Sequence, residues 1–364
     1  MDKLQKARLE INEIDKQMAE LFCRRMDAVR VVSEHKRELG LPVHDPVREA
    51  EVIERNSALI KDDELRSYYV KYLRDNMRLS CDFQRKLAEG ERVAFCGVEG
   101  AFAHVAARKL FPTSRHVPYP DFDSAYSAVQ NGECDVAVLP IENSTAGEVS
   151  QVIDMMFSGS LYVTGVYDLS VSHNLMSVKG ASIGDVKTVI SHPQALMQCS
   201  KYIQAKGFEK REFENTAMAA KYVAEANDKS LAAIASRETA ELYGLQMLES
   251  NINETAINTT RFGVLSRAHS DDGISRDKHS IIMFTVRNEA GSLAKAMSII
   301  GECGYNMRCL RSRPMKELLW QYYFYVELEG SIANENGKRM MKELRECCDQ
   351  LKLVGTFKFP SELA

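Results

Sequence analysis

Residues 91–111 read ERVAFCGVEGAFAHVAARKLF. The first seven form a short apolar strand that stops at glycine, and AHVAARKLF (103–111) continues as a helix. The same design returns downstream. DVAVLPIEN (135–143), KTVISHP (187–193) and LAAIAS (231–236) are apolar strands beside helical segments, the first two ending in polar residues. Strands alternating with helices make an α/β domain with a mostly parallel sheet. In such sheets ligands bind at the carboxyl ends of the strands. Glu142-Asn143-Ser144-Thr145 and Ser191-His192 stand at two such ends. The GVEG turn lacks the GxGxxG spacing that lets a backbone cradle a dinucleotide pyrophosphate, so it reads as a tight strand–helix turn.

On the N-terminal side the period changes to that of a packed helix. Leu4, Ile11, Met18, Arg25, Val32 and Leu39 recur every seven residues, with Ala7, Ile14, Leu21, Ala28 and His35 as the companion row. Gly40 and Pro42 end this helix. Asp45-Pro46 predicts the cap and first residue of a second helix over 45–60, and Asp62 or Asp63 caps a third over 64–88. Three long helices with few aromatics leave a thin core, so the seam is expected to close against a second copy of the chain. Arg25 sits in a row otherwise apolar, and a buried guanidinium needs a partner. A neighbouring carboxylate would serve, and so would an anionic ligand. Lys36 follows Arg25 by eleven residues, about three turns or ~16 Å, on the same face. Arg8 lies ~25 Å away along the axis and reaches the same molecule only from an antiparallel partner.

On the C-terminal side, AHSDDGISRDK (268–278) is a polar linker. Beyond it HSIIMFTVRNE, NMRCLRSRP, LWQYYFYVELEG and VGTFKFP read as strands, and GSLAKAMSIIGECG and ENGKRMMKELRECCDQL as helices. The order βαββαβ is the ferredoxin-like arrangement.

The whole-chain numbers exclude several classes. A net charge of -4 gives no basic field for nucleic acid or an anionic membrane. No apolar run reaches membrane-spanning length, and the charged start MDKLQKARLEINEID is no secretion signal. Nine scattered cysteines without a CxxC pair predict reduced thiols and a cytoplasmic location, with no metal site and no cofactor.

Residues 1–88 resemble the all-helical chorismate mutases at Arg8, Arg25, Lys36, Asp45, Arg48, Glu49, Ser80 and Gln84. That resemblance implies a dimer of three-helix subunits, with Arg8 supplied by the other subunit. It also implies carboxylate contacts from Arg8, Arg25 and Arg48, a ring-hydroxyl contact from Glu49, and catalysis by Lys36 and Gln84 at the ether oxygen. The segments IENSTAGEV (141–149), ISHPQALMQCSKYI (190–203), ENTAMAAKYVA, AAIASRETAELYGL and TTRFGVL (259–265) resemble those of prephenate dehydratases. For residues 91–268 this implies two α/β lobes, similar to periplasmic binding proteins, with Thr260 as catalytic hydroxyl. The implied pocket adds Glu142, Asn143, Ser144, Thr145, Ser191, Gln198, Cys199 and Arg261. Phe262 reads as core, Cys199 equally as a small buried hydrophobe, and His173 and His192 as residues at strand ends where capping is common. Where that family usually places hydroxyls around the aromatic of the first turn, this chain has Ala101-Phe102-Ala103.

Residues 279–360 resemble the ACT domains that sense amino acids. Gly291-Ser292-Leu293 stands at their glycine loop, and Ser312-Arg313-Pro314 in their Glu-Ser-Arg-Pro motif, with Arg311 in place of the glutamate. The combined expectation is a homodimer or higher homo-oligomer that turns chorismate into prephenate and prephenate into phenylpyruvate, with L-phenylalanine as effector. The alternatives are a non-catalytic amino-acid sensor, which needs neither Thr260 nor a charged seam, and a mutase fused to another prephenate-using enzyme.

Overall fold

The computed structural model describes residues 2–255, 257–269, 278–315, 321–359 and 361–363. The chain forms two compact units, Met1–Glu91 and Arg92–Ala364.

The first unit is helical. α1 (Lys3–Glu38) begins at a capping box between Asp2 and Gln5, and Gly40 turns the chain at φ +65°. α2 (Pro46–Ser57) is capped by Asp45, which accepts from the Arg48 N–H. α3 (Asp63–Glu89) is capped by Asp62. Both earlier helices pack on α3. The only hydrophobic side chains of this unit buried among the described residues are Leu73 and Met77. The heptad row of α1 and its companion row stay open, with Ile11, Met18 and Val32 of the first and Leu21 of the second exposed by 56, 43, 47 and 58%.

The second unit starts with an α/β lobe, as the opening segment predicts, but its sheet is mixed and not mostly parallel. β1 (Arg92–Cys96), α4 (Phe102–Leu110), β2 (Arg115–Tyr119), α5 (Phe122–Gln130), β3 (Val136–Asn143), β4 (Gly147–Glu148), α6 (Ser150–Ser158) and β5 (Tyr162–Ser170) follow in order. The chain then crosses to a second lobe. That lobe holds β6 (Asn174–Ser177), β7 (Thr188–Ser191), α7 (Pro193–Gln198), α8 (Ser200–Lys206) and β8 (Glu209–Glu212), then α9 (Thr216–Ala226), β9 (Leu231–Ala235), α10 (Arg237–Tyr243) and β10 (Gln246–Glu249). It returns as β11 (Thr259–Ser266), which inserts antiparallel between β3 and β5. The second sheet has the order β10-β6-β9-β7-β8. The two crossings are tied side by side: Val171 N–H donates to Asn258 at 2.7 Å and Ile252 N–H to His173 at 2.9 Å.

The last segment is the expected βαββαβ: β12 (Lys278–Thr285), α11 (Ser292–Glu302), β13 (Met307–Pro314), β14 (Tyr322–Glu329), α12 (Glu335–Cys347) and β15 (Gln350–Lys358). A two-residue β16 (Ser361–Glu362) then pairs with β5. Of the expected linker, residues 270–277 lie outside the described residues. The sheet order β13-β14-β12-β15 is that of a ferredoxin-like fold. One face buries Ile282, Phe284 and Val326 under the two helices. The other face puts Ile281, Met283, Tyr325 and Val354 into one core with Ile153, Met156, Leu161 and Val163 of the first lobe. Every residue of β12 is therefore buried, and the ferredoxin-like segment shares a core with the lobe it follows.

Polar ties flank that shared core. The Lys352 ammonium donates to the carbonyls of Met156, Phe157 and Gly159, where α6 ends, a favourable place for a cation. Glu327 accepts from His279 at 2.7 Å and faces Arg261 at 3.9 Å. Burial pushes the Glu327 carboxyl up, but His279 and Arg261 outweigh it and hold it below its usual range. At Gly355, a Cβ would run into the Val163 backbone of the facing strand. Gly355→Ala should force the sheets apart and cost roughly 1–3 kcal/mol, as overpacking does. A lower melting temperature of the second unit's calorimetric transition is the expected result, and an unchanged one would contradict the packing.

Candidate active sites

Between the two lobes lies a cavity of about 320 Å³. Ala101, Phe102, Pro140, Val149, Val171 and Ala195 give it an apolar wall. Ala101 begins α4 without any side-chain cap, so the turn where hydroxyls were missing from the sequence is part of that wall. Asn143, Thr260, Gln198, His173 and Asn258 supply polar groups. Asn143 and Thr260 come from the ends of β3 and β11, which lie opposite each other in register. Gln198 comes from the last turn of α7 in the other lobe. His173 and Asn258 sit on the two crossings between lobes.

These five side chains form one hydrogen-bonded chain whose direction is fixed at one end. Asn143 Oδ1 accepts the backbone N–H groups of Thr145 and Ala146 at 3.0 and 2.9 Å. A backbone N–H can only donate, so this oxygen is identified and Nδ2 faces the other way. Nδ2 donates to Thr260 Oγ1 and to Asn258 Oδ1, both at 2.9 Å. Asn258 Nδ2 in turn donates to Gln198 Oε1 at 3.1 Å, and the same oxygen lies 2.7 Å from His173 Nε2. Two consequences follow. Thr260 accepts through its oxygen, and its O–H has no partner among the described residues. Gln198 keeps its Nε2 free, with no partner among the described residues.

Strand alternation divides the other expected residues from these. Glu142 and Arg261, each next to a cleft residue, point to the opposite face of the sheet. Arg261 pairs with Asp168 at 2.9 Å. Glu142 pairs with Arg311 on β13 at 2.5 Å. Neither lines the cleft. Ser144 and Thr145 hold the turn after β3 instead: the Ser144 hydroxyl accepts from Thr259 N–H, and Thr145 N–H serves Asn143. Ser191 is fully buried and donates to the Ile234 carbonyl at 2.6 Å. Cys199 is a buried core residue, its thiol pushed up to about 12 by burial. Phe262 is core as expected. His192 caps α7 through Nδ1.

In the helical unit, Arg25 of α1 and Ser80 of α3 are hydrogen-bonded. Gln84, one turn beyond Ser80, is buried, and its Oε1 has no partner among the described residues. Lys36 donates to the Val43 carbonyl at 2.7 Å. Glu49 of α2 comes near both His44, at 3.5 Å, and Cys81. Asp45 is engaged as the α2 cap. Arg48 is exposed and pairs with Glu51. Arg8 is exposed on α1. Thus Arg25, Ser80 and Gln84 are brought together, while Arg8 and Arg48 are not joined to them within one chain.

In the ferredoxin-like segment Gly291 precedes α11 at φ +86°, where glycine is favoured, and leaves the helix start without a side-chain cap. Ser292 and Leu293 form its first turn. Ser312 is exposed on β13. Its neighbour Arg313 is buried and turned to the first lobe, where it bonds Glu148, Ser150 at 3.0 Å and Asp154 at 3.0 Å. That arginine is committed to holding the segment in place, not to an open pocket beside Pro314.

Sequence reasoning passed over Asn258 and set His173 aside as a residue at a strand end. His173 is 3% exposed, and burial pulls its pKa below the usual value although Gln198 acts the other way. The signal for both would have been a pair of polar residues at the two points where the chain changes lobe.

Residues 93–270 match the family model of prephenate dehydratase, and residues 7–85 that of chorismate mutase type II. The chain is 31% identical to a bifunctional chorismate mutase/prephenate dehydratase of Aquifex aeolicus, over 98% of both chains. It is 32% identical to an arogenate dehydratase/prephenate dehydratase of Arabidopsis thaliana, over 84% of each. Its fold is similar to that of an Arthrobacter aurescens prephenate dehydratase solved in complex with L-Phe, at a TM-score of 0.68. That match has 22% identity and covers 73% of this chain and 90% of that one.

Proposed function

The chain belongs to the bifunctional chorismate mutase/prephenate dehydratase family, and we propose how its two sites divide the work. It is an enzyme of L-phenylalanine biosynthesis: it rearranges chorismate to prephenate, then converts prephenate to phenylpyruvate.

The rearrangement is unimolecular and needs no nucleophile. Its barrier falls when a compact conformer is held and donors meet the charge that grows on the ether oxygen. Lys36 and Gln84 are those donors, and Arg25 with Ser80 holds a carboxylate. Glu49 receives the ring hydroxyl. The bare heptad row of α1 is covered by a second copy of the chain. That pairing brings Arg8 across from the partner, and Arg48 turns in when the ligand arrives. Nine free thiols suit a reducing cytosol.

In the dehydratase the ring C–O and ring–carboxylate bonds break. The hydroxyl leaves with its electron pair and takes up a proton to become water. The electrons of the lost carbon–carbon bond complete the aromatic ring as carbon dioxide departs. The observation that carries this reading is the fixed direction of Asn143. It occupies the Thr260 oxygen as an acceptor, so the Thr260 O–H is left to meet the departing hydroxyl. The apolar wall keeps the leaving carboxylate poorly solvated. Glu148, the one acid lining the cavity among the described residues, is paired with Arg311 and Arg313. No open carboxylate there awaits a substrate ammonium, which favours prephenate.

The ferredoxin-like segment serves as an ACT domain for L-phenylalanine. The open N–H groups at Gly291, Ser292 and Leu293 take the carboxylate, with Ser312 and Pro314 at the same end of the sheet. The Arthrobacter dehydratase solved with L-Phe supports this effector. Arg311 grips Glu142, one residue from Asn143, so a ligand that moves β13 pulls on the strand end holding the donor.

Chorismate supplied alone separates the steps. Thr260→Val should accumulate prephenate and release no phenylpyruvate; production at the parent rate would make Thr260 merely structural. Lys36→Ala should slow chorismate loss by about 10² or more while added prephenate is still consumed, and normal chorismate turnover would refute its role. The dehydratase rate should fall as L-phenylalanine rises to millimolar levels, and Gly291→Val should abolish that response. A parent insensitive to L-phenylalanine, with no calorimetric binding, would reduce the segment to an assembly module.

A further inference from the structure

His173 has no place in the chemistry above, yet it is the most buried titratable group at the cleft and ends the polar chain. The direction of that chain determines what it does. Because Asn143 is fixed by two backbone N–H groups, Asn258 must present its oxygen to Asn143 and its nitrogen to Gln198. The Gln198 atom it meets is therefore the oxygen. The only hydrogen-bond role left for His173 Nε2, 2.7 Å from that oxygen, is donor. His173 Nδ1 is buried and has no hydrogen-bond partner among the described residues, which is consistent with an unprotonated nitrogen in a neutral ring.

We propose that His173 is a positioning residue. Its Nε2–H and the Asn258 amide together clamp the Gln198 oxygen, so that the Gln198 NH₂ faces the cleft as a donor to a substrate carboxylate. An amide side chain can turn end for end at little steric cost, and only its partners decide which end faces a ligand. Turned round, Gln198 would offer a carbonyl oxygen to a dianionic substrate and repel it. The clamp sits where the chain crosses between lobes: Gln198 belongs to the second lobe, Asn143 and Thr260 to the first, and His173 and Asn258 to the two crossings. The chain thus sets the two free donors, Thr260 O–H and Gln198 N–H, for one another's lobe. This rests on the dehydratase reading above.

The test measures prephenate turnover by the full-length enzyme. His173→Phe keeps a planar ring but removes the donor, and kcat/KM should fall at least about tenfold, as a misdirected hydrogen bond predicts. His173→Gln retains an N–H for the clamp and should recover most of the loss. In a Gln198→Ala background His173→Phe should cost nothing further, since the residue acts through Gln198. A packing role would instead add its cost in both backgrounds, as independent effects do. Asn258→Asp replaces the second clamping donor by an acceptor at constant shape. It should show the same loss and the same dependence on Gln198, and decides the matter if His173→Phe does not fold. The parent pH profile should lack an acid limb that His173→Gln removes; such a limb would make His173 a proton donor or acceptor instead. Parent activity in His173→Phe, or losses that simply add in the double variants, would overturn the clamp. Thr260→Val stays inactive under either outcome, so failure of the clamp is distinct from failure of the dehydratase reading.

Discussion

Everything at the cleft depends on two backbone N–H groups. Thr145 and Ala146 donate to Asn143, and that single choice of orientation passes through Asn258 to Gln198 and through Nδ2 to Thr260. A turn of main chain has no freedom to reverse its dipoles, so it supplies a fixed reference that side chains alone could not. The adjacent strand positions carry the complementary task. Because successive residues of a strand face opposite ways, Glu142 and Arg261 are turned from the cleft by the same pleat that turns Asn143 and Thr260 into it. They bind the ferredoxin-like sheet instead. Neighbouring residues on the same two strands therefore line the cleft and anchor the ferredoxin-like sheet.

Much of this was legible in the sequence. The periodic row of α1, the aspartate caps of α2 and α3, and the strand–helix alternation are local signals, and the structure follows them closely. Arg25 was visible because a charge interrupted an apolar row, and it does meet Ser80. Thr260, Asn143 and Gln198 were placed at the cleft by resemblance, and they line it.

What escaped was set by non-local geometry. Glu142, Ser144, Thr145, Ser191 and Arg261 belong to recognisable segments, but membership in a segment does not say which face a residue takes. Ser191 fell inside the second lobe, and Arg261 found a carboxylate on β5. Arg313 looked like a ligand-binding residue until burial showed it tied to Glu148 and Asp154. Asn258 was missed, and His173 set aside as a strand-end residue, for the opposite reason. They lie 85 residues apart on crossings that neither strand nor helix periodicity describes, and only the pairing of those crossings brings them together.

The sheet whose two faces are both interior has an evolutionary meaning. Small appended domains are often pictured as cassettes that genes acquire and lose whole. Here a chain cut after the second lobe would strand Ile153, Met156, Leu161 and Val163 in water and leave Arg261 and Glu142 without Glu327 and Arg311. Loss of the segment would first require a re-surfaced lobe, through several substitutions none of which helps while the segment remains. The same geometry removes the usual refuge for neutral drift, since β12 has no solvent side on which replacements go unnoticed. Lineages should vary this region at its helices and loops, and keep the strand facing the lobe nearly frozen.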